Sequence, residues 1–296
     1  MICNWVRVAG TVVVLVALTV AGCAPDADPA DPSQLVLGVI PYENSTSVAD
    51  DWKPFAAMLE RQTGKRVEIK IATDYAALVE GQRAGTIHLA VYGPLSYVLA
   101  RDSGVGVEPM GVQITHKGAP PHYRAYLVAK ADAPIHGLAD LRGKRVCFVD
   151  PNSTSGYLYP MVALTEAGIA RDDYTERFVG GHDAAVLGVR DGDCDAAAVQ
   201  DRIVDEVLPA EGRIRADELK TIWTSRPIIN GPLAMSTRLQ PRLRDKLAWA
   251  TTEHGNADAL GVPTIAGVWG FAPVTDESYD SVRAVCAVAK VKLCDG

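Results

Sequence analysis

The sequence has no excess of positive charge, and this limits the partners that it can bind. Its 296 residues include 29 Lys and Arg against 36 Asp and Glu, which gives a formal net charge of −7. Proteins that bind nucleic acid use basic side chains to neutralise phosphates, so we predict no nucleic-acid partner. An anionic ligand would have to be held by local dipoles rather than by a basic surface.

Catalytic and cofactor motifs are missing as well. The chain contains no GxSxG, SxxK, HExxH or Walker A sequence, and no GxGxxG follows a predicted strand. Ser153, His182 and Asp183 supply the residue types of a triad, but such residues are common and their order alone does not indicate a shared site. We therefore predict that the protein is not an enzyme and needs no cofactor or metal. A secreted hydrolase is the alternative.

Disordered, collagen-like and coiled-coil compositions are excluded by what the chain does contain. Hydrophobic residues make up 48% of it and charged residues 22%, with 26 Gly and 18 Pro. This composition and length are typical of one large globular domain or two domains of ordinary size, either of which buries a sizeable core.

The N-terminus has the features of a secretion signal. Arg7 precedes an apolar run at residues 8–20, and the run leads into Val-Ala-Gly-Cys, which resembles the bacterial lipobox at Cys23. Three prolines and three aspartates then occupy residues 24–32, as in a solvated tether. We predict a lipoprotein signal peptide at residues 1–22, then a lipidated Cys23 and tether to residue 33. The alternative is an uncleaved membrane anchor, for which the run is short.

Four cysteines follow the tether. Cys147 lies in a predicted strand and Cys194 begins another, so neighbouring parallel strands would bring the two together. We predict a Cys147–Cys194 disulfide, which leaves Cys286 to pair with Cys294. Four cysteines allow three pairings, and metal ligation is a further alternative that no CxxC spacing supports. Disulfides agree with an extracytoplasmic location.

Strand-like and helix-like segments alternate along the rest of the chain. Short apolar runs of strand length are each followed by a polar turn and a segment with helical spacing. The predicted strands are residues 35–40, 67–71, 86–92, 145–149 and 195–199, and the predicted helices are residues 48–63, 75–84, 157–167 and 182–190, with another beginning at Pro94. This alternation predicts parallel sheets covered by helices. Because the pattern restarts after residues 137–143, we predict two similar α/β lobes.

The clearest candidate binding segment is Asp-Pro-Asn-Ser-Thr-Ser-Gly at residues 150–156. It follows a predicted strand and precedes a predicted helix, which is where ligands bind in α/β sheets. Ser153, Thr154 and Ser155 can cap the helix, or they can bind an oxyanion together with the free N–H groups and dipole of its first turn.

Other candidates are single residues at similar positions. His182 follows two glycines at the start of a predicted helix. Tyr75, Tyr92 and Tyr123 stand at junctions between elements, where a phenol can donate to an anion. Each of these residues could instead serve only in packing.

Taken together, these segments resemble the phosphonate-binding components of ABC importers. The resemblance includes residues 75–97, 123–124, 150–156, 181–186, 192–197, 223–232 and 269–283, and so extends over the predicted mature chain. It implies a two-lobed periplasmic-binding-protein fold of type II, with parallel-sheet lobes joined by two crossovers. The first lobe would comprise residues 34–123 and 233–296, and the second residues 124–232.

The resemblance also implies a ligand site. The Ser-Thr-Ser run would hold phosphorus oxygens at the start of a helix, a histidine would face it, and tyrosines would line the cleft. The implied residues are Ser153, Thr154, Ser155, His182, Tyr75 and Tyr123, with Tyr92 beside that wall.

The sequence departs from the members of this family that bind aminoalkylphosphonates. Those place two acids around the ammonium group, but here Asn230 and Gly231 occupy the second position, and the first holds Asp201 or Arg202 depending on a one-residue slip. A buried ammonium would be poorly compensated. We therefore predict a smaller oxyanion, namely phosphite, phosphate or methylphosphonate, with Asp201 accepting a hydrogen bond from a P–OH group.

The function implied is capture of this oxyanion outside the cell membrane and its delivery to an ABC permease. The protein would act as a monomer held on the membrane by the lipid at Cys23. The alternative from another class is an extracytoplasmic sensor module that reports the same ligand to a signalling partner.

Overall fold

The structure is a computed structural model that describes residues 28–42, 48–215 and 217–289. The predicted signal peptide, Cys23, residues 24–27 of the tether and Cys294 lie outside the described residues. Within those ranges no helix has the length and apolar character needed to cross a membrane.

Thirteen strands lie in the described ranges, mostly at the predicted places. They are β1 (Gln34–Val39), β2 (Arg66–Ile71), β3 (Leu89–Val91), β4 (Val107–Ile114), β5 (His122–Tyr123), β6 (Ala125–Lys130), β7 (Arg145–Phe148), β8 (Thr175–Phe178), β9 (Ala196–Gln200), β10 (Leu219–Thr224), β11 (Ile228–Ile229), β12 (Pro232–Ser236) and β13 (Gly270–Ala272).

Ten α-helices accompany these strands in the same ranges. They are α1 (Val48–Asp51), α2 (Lys53–Thr63), α3 (Tyr75–Arg83), α4 (Pro94–Asp102), α5 (Tyr159–Glu166), α6 (His182–Asp191), α7 (Leu208–Ala210), α8 (Pro241–His254), α9 (Ala257–Leu260) and α10 (Asp280–Ala289). The predicted helix at residues 48–63 is divided at Trp52, because Pro54 stands in the first turn of α2 and has no N–H to continue the preceding helix.

The larger sheet combines the first strands of the chain with the last ones. Its order is β13–β4–β12–β3–β1–β2, with β1 parallel to β2 and β3, and with β12 and β13 antiparallel to β4. Leu37 on β1 lies between Ile69 and Leu89 in this register. Leu35, Leu37 and Val39 are buried, so the apolar run of β1 lies at the centre of the lobe.

The second sheet is built from the middle of the chain. Its order is β10–β6–β9–β7–β8, with β7 parallel to β8 and β9, and β6 antiparallel to β9 and β10. The two-lobed α/β architecture is confirmed, but each sheet is mixed rather than wholly parallel. The reason is that β6, β12 and β13 each begin beside the cleft between the sheets, whereas β1, β3, β7 and β9 end there. The exact lobe boundaries stay a prediction.

The two crossings between the sheets run side by side. Tyr123 on β5 pairs with Ile228 on β11, and His122 pairs with Ile229, in a short antiparallel ladder. Pairing the two connecting segments gives them one shared axis, as expected for a hinge between lobes.

The predicted Cys147–Cys194 disulfide is confirmed. It joins β7 to the turn before β9, with the Cα atoms 5.8 Å apart. Cys286 on α10 is disulfide-bonded and buried, but its predicted partner, Cys294, is outside the described residues, so that pairing stays a prediction.

Candidate functional site

A cavity of about 250 Å³ lies in the cleft between the two sheets. Strands of both sheets end on it: Ile40 follows β1, Tyr92 follows β3, Ser153 lies just beyond β7, and Gln200 ends β9. Residues beyond the carboxyl ends of parallel strands form the ligand sites of α/β folds. The volume is below the usual range for drug-sized ligands and is suited to a small one.

Helix beginnings also converge on this cavity. Its walls include Tyr75, Pro94, Thr154 and His182, which are the first residues of α3, of α4, of the π-helical turn Thr154–Leu158 and of α6. The start of α3 is capped by a carboxylate, because Asp74 accepts the N–H of Ala77 at 2.7 Å. The other three starts carry no acidic cap, and of these only α6 has an acid, Asp183, in its first turn. The positive dipole ends of α4 and of the π-helical turn therefore favour an anion.

The Ser-Thr-Ser run is held in place by the turn that it begins. Ser153 Oγ accepts the N–H of Gly156 at 3.1 Å, which is the capping role predicted for such a serine. A Cβ on Gly156 would lie 2.4 Å from Val149 Cγ2 and 2.8 Å from Ser153 Oγ, so only glycine fits. Ser155 is buried beside it and lines the cavity. The predicted helix at residues 157–167 thus starts earlier, with a π-turn of the kind common at functional sites.

Several hydrogen bonds across the cleft hold the lobes together. Thr154 Oγ1, in the second lobe, accepts the N–H of Leu95 on α4 at 2.8 Å. The N–H of His182 donates to the carbonyl of Tyr42 at 2.9 Å. Asp150 accepts the N–H of Tyr75 at 3.4 Å, a weak bond. The structure therefore shows the closed arrangement of the two lobes.

Tyr75 and Tyr123 line the cavity from the first lobe, where both are buried. Burial raises the pKa of the Tyr75 hydroxyl far above its usual value, and the charge of Asp150 acts in the same direction, while a hydrogen bond with Ser153 opposes them. Burial likewise raises the pKa of Tyr123, against hydrogen bonds with Ser155 and Thr154. Both phenols keep their protons at neutral pH and can act as donors.

Tyr92 is in the cavity wall, but its hydroxyl is directed elsewhere. The phenol donates to Gln82 Oε1 at 2.7 Å, and Gln82 is a buried residue of α3 that does not line the cavity. A direct hydrogen bond from Tyr92 to the ligand therefore stays a prediction, and this closed arrangement does not show it. A buried amide satisfies the hydroxyl within the first lobe instead.

His182 faces the cavity in a neutral form. Burial lowers its pKa to about 4, and the nearby charge of Asp183 opposes this shift only in part. The Nδ1 atom accepts the N–H of Gln200 at 3.1 Å, so the proton of the neutral ring is on Nε2. His182 therefore contributes a hydrogen-bond donor to the cavity wall without a positive charge.

Asp201 is not among the residues that line the cavity. Its Oδ2 accepts the N–H of Arg124 and its Oδ1 accepts the N–H of Arg202, both at 2.9 Å. Burial raises the pKa of this carboxyl, and those two backbone bonds oppose the shift. The prediction of Asp201 as an acceptor for a P–OH group is thus not supported: its oxygens accept backbone N–H groups where the chain enters β6 and leaves β9.

Arg202, rather than Asp201, reaches the cavity, and so does Asn230. The amide of Asn230 donates to the carbonyl of Gln113 at 2.8 Å, which fixes it between two segments of the first lobe. A further contributor that the sequence reasoning missed is the start of α4 at Pro94. The signal was present, because Pro in a first helical turn directly after a predicted strand marks a helix that begins at a strand end.

No group of His, Cys, Asp and Glu in the described part of the chain has the arrangement of a metal site.

Comparison with known proteins agrees with a binding role. Residues 37–279 match the family model described as "ABC transporter, phosphonate, periplasmic substrate-binding protein". The chain belongs to this family.

Relatives within the family cover nearly the whole chain. The phosphate-import protein PhnD of Mycolicibacterium smegmatis is 38% identical, with 97% of each chain covered. The crystal structure of a binding protein component of an ABC phosphonate transporter from Pseudomonas aeruginosa has a TM-score of 0.79 at 25% identity, covering 87% of this chain and 86% of the other. The structure of PhnD1 from Prochlorococcus marinus in complex with methylphosphonate has a TM-score of 0.76 at 21% identity, and the match covers 88% of this chain and 98% of the other.

Family membership makes this protein a periplasmic substrate-binding component of an ABC transporter. Its sequence resemblance to phosphonate-binding components is therefore confirmed, as is the two-lobed fold. The individual ligand contacts stay predictions that rest on the geometry of the cavity.

Proposed function

We propose that the protein captures a small phosphorus oxyanion, namely phosphite, phosphate or an alkylphosphonate without an amino group, and delivers it to an ABC permease. The observation that carries this proposal is the set of donors around one small cavity. Three helix starts without acidic caps meet there, together with the Ser-Thr-Ser run, two protonated tyrosines and the neutral His182.

These donors suit an anion with several oxygens. Hydroxyl and N–H donors can replace the hydration shell of each oxygen, and helix dipoles add attraction without a lysine in the wall. Closure of the lobes then buries the anion and forms the bonds from Leu95 to Thr154 and from His182 to Tyr42. The closed form is the state that a permease would recognise.

The protein acts in this proposal as a monomeric lipoprotein, anchored by Cys23 outside the membrane, and it carries out no reaction on its ligand. Anchoring is tested by substituting Cys23→Ser in the full chain. We expect the parent in the membrane fraction and the variant in the soluble extracytoplasmic fraction. An unchanged distribution would contradict the lipid anchor.

Ligand capture is tested by calorimetric titration of residues 24–296, after unfolding and refolding to remove carried ligand. The titrants are phosphite, phosphate, methylphosphonate, 2-aminoethylphosphonate and sulfate. We expect tight binding of at least one of the first three and much weaker binding of the last two. Binding of 2-aminoethylphosphonate alone would overturn the proposed ligand class. If no titrant gives a binding signal, the proposed function is wrong.

A further inference from the structure

Arg202 spans the cleft from the second lobe to the first. It follows β9, and its guanidinium Nη2 donates to the carbonyl oxygen of Gly267, in the loop before β13. Its Nε donates to Glu206, one turn further on, at 3.1 Å. The side chain of Arg202 is 19% exposed whereas that of Glu206 is 61% exposed, so the cation lies inward of its partner.

The acceptor of this bond belongs to a tight turn at the wall of the cavity. Ile265 and Val268 form an antiparallel bridge, and the two residues between them, Ala266 and Gly267, have φ of 47° and 78°. Positive φ at both central positions defines a type I′ turn, which usually requires Gly, Asn or Asp. Ala266 is the one non-glycine residue with positive φ in the described ranges. The turn therefore keeps a backbone conformation that alanine disfavours.

Arg202 is also the one basic side chain among the described residues that line the cavity. The acidic residues of the same wall, Asp51 and Glu211, are exposed, and Glu211 pairs with Arg213 at 3.2 Å. Asn230 is buried and neutral. Among the described residues that line the half-buried part of the wall, Arg202 is therefore the one charged side chain, and its Nε pairs with Glu206 on the exposed side.

We propose that Arg202 is the residue that determines ligand charge: it favours anions without a cationic group and rejects zwitterions that carry an ammonium. This inference rests on the proposed function and names the ligand class of the same cavity. An ammonium in this cavity would be desolvated beside a like charge, whereas an oxyanion gains attraction from it. Arg202 also bonds Gly267 across the cleft. The same side chain therefore favours closure only when the bound ligand does not displace the guanidinium from that bond.

The test compares methylphosphonate with 2-aminoethylphosphonate, which share the phosphonate group and differ by an aminomethyl extension. Calorimetry is performed on the parent, on Arg202→Gln, Arg202→Glu and Arg202→Lys, and on Arg242→Gln. Arg242 is an exposed residue of α8 away from the cavity and is the matched control.

We expect the parent and Arg242→Gln to bind methylphosphonate at least 100-fold more tightly than 2-aminoethylphosphonate. In Arg202→Gln this ratio falls about tenfold, and in Arg202→Glu it falls about 100-fold or more. Arg202→Lys, which keeps the charge, retains the preference even if its overall affinity falls. A ratio that stays within threefold of the parent value in both the Gln and Glu variants would overturn the inference, as would a fall of the same size in Arg202→Lys.

The two proposals fail in different ways. If the parent binds none of the phosphorus anions, the proposed function is wrong and this inference falls with it. If the parent binds methylphosphonate but the variants keep its preference, only the role of Arg202 is wrong. Thermal unfolding of each variant shows whether it is folded, and should Arg202→Glu not fold, the Gln and Lys pair alone decides between charge and structure.

Discussion

At the residue scale, the proposed ligand contact of Ser155 can be tested by removing its hydroxyl. It is buried at the start of the π-helical turn and lines the cavity. Replacing it by alanine removes one donor to a buried anion, which costs about 1.5–3 kcal/mol, or roughly 10- to 150-fold in affinity. Calorimetric titration of Ser155→Ala with phosphite, phosphate and methylphosphonate measures this loss.

The control for Ser155 is Ser278→Ala, in an exposed turn away from the cavity. We expect this variant to bind as the parent does. Equal affinities for the parent and Ser155→Ala would show that the Ser-Thr-Ser run caps a helix without holding the ligand.

The buried His182 makes stability depend on pH. Its pKa is about 4 in the folded protein, below the ordinary value of 6.5, so the unfolded chain binds the proton more strongly. The contribution of the neutral ring to stability is fully present above about pH 6.5 and is lost as the pH falls towards 4. Between pH 7 and pH 5 we expect the free energy of unfolding to fall by about 2 kcal/mol from this group.

Urea unfolding of the parent and of His182→Asn at pH 7 and pH 5 measures this contribution. Asparagine keeps an acceptor for the N–H of Gln200 but cannot bind the proton. We expect the variant to lose less stability than the parent over this interval. Equal losses in both proteins would mean that the ring of His182 is not held neutral by burial.

Residue types and spacing predicted which residues lie at the cavity better than they predicted where each side chain points. Tyr75 and Tyr123 line the cavity as predicted, and so does His182. Tyr92 also lines the cavity, but its hydroxyl, like the carboxylate of Asp201, bonds a partner that the linear sequence does not show. For Tyr92 that partner is a side chain ten residues earlier, and for Asp201 it is the backbone N–H of Arg124, just before β6.

At the scale of elements, the Cys147–Cys194 disulfide ties together two strands that end at the cavity. The cysteines are 47 residues apart, and closing a loop of that length stabilises a domain by about 2–4 kcal/mol. We expect the double variant Cys147→Ala, Cys194→Ala to lose this amount in urea unfolding. Ligand affinity should change little, since neither cysteine lines the cavity.

Reduction of the parent supplies the control for the disulfide. Dithiothreitol should lower the stability of the parent more than that of the double variant. Reduction of the disulfide at Cys286 affects both proteins equally. A double variant as stable as the oxidised parent would show that this disulfide contributes no net stability.

Element positions were predictable because strands and helices are local. Apolar runs predicted β1, β2 and β7 to within a residue or two, and helical spacing predicted α3 and α6. The break at Trp52 and the π-turn at Thr154 were not predicted. Both depend on how the start of a helix packs against other parts of the chain, which a periodic pattern does not report.

At the scale of the whole molecule, the bond from Leu95 to Thr154 joins the two lobes across the cleft. It joins α4 of the first lobe to the Ser-Thr-Ser run of the second at 2.8 Å. Thr154→Val keeps the shape of the side chain but removes the acceptor. We expect at least fivefold weaker binding, from the loss of about 1 kcal/mol, and a larger radius of gyration at saturating ligand by small-angle X-ray scattering.

Ser155→Ala separates closure from binding in the same scattering experiment. It loses a ligand donor but keeps the bond from Leu95, so at saturating ligand it should reach the radius of gyration of the parent. If Thr154→Val closes fully as well, the bond across the cleft does not contribute to closure.

The sequence by itself determined the α/β class, the Cys147–Cys194 pair, the family and the Ser-Thr-Ser run, because these follow from local patterns and residue types. Only the tertiary structure decided which residue of the turn after β9 reaches the cavity. A one-residue slip exchanges Asp201 for Arg202, and with it the sign of the charge beside the cavity. Partners distant in sequence, the carbonyl of Gly267 and the N–H of Arg124, fix that choice.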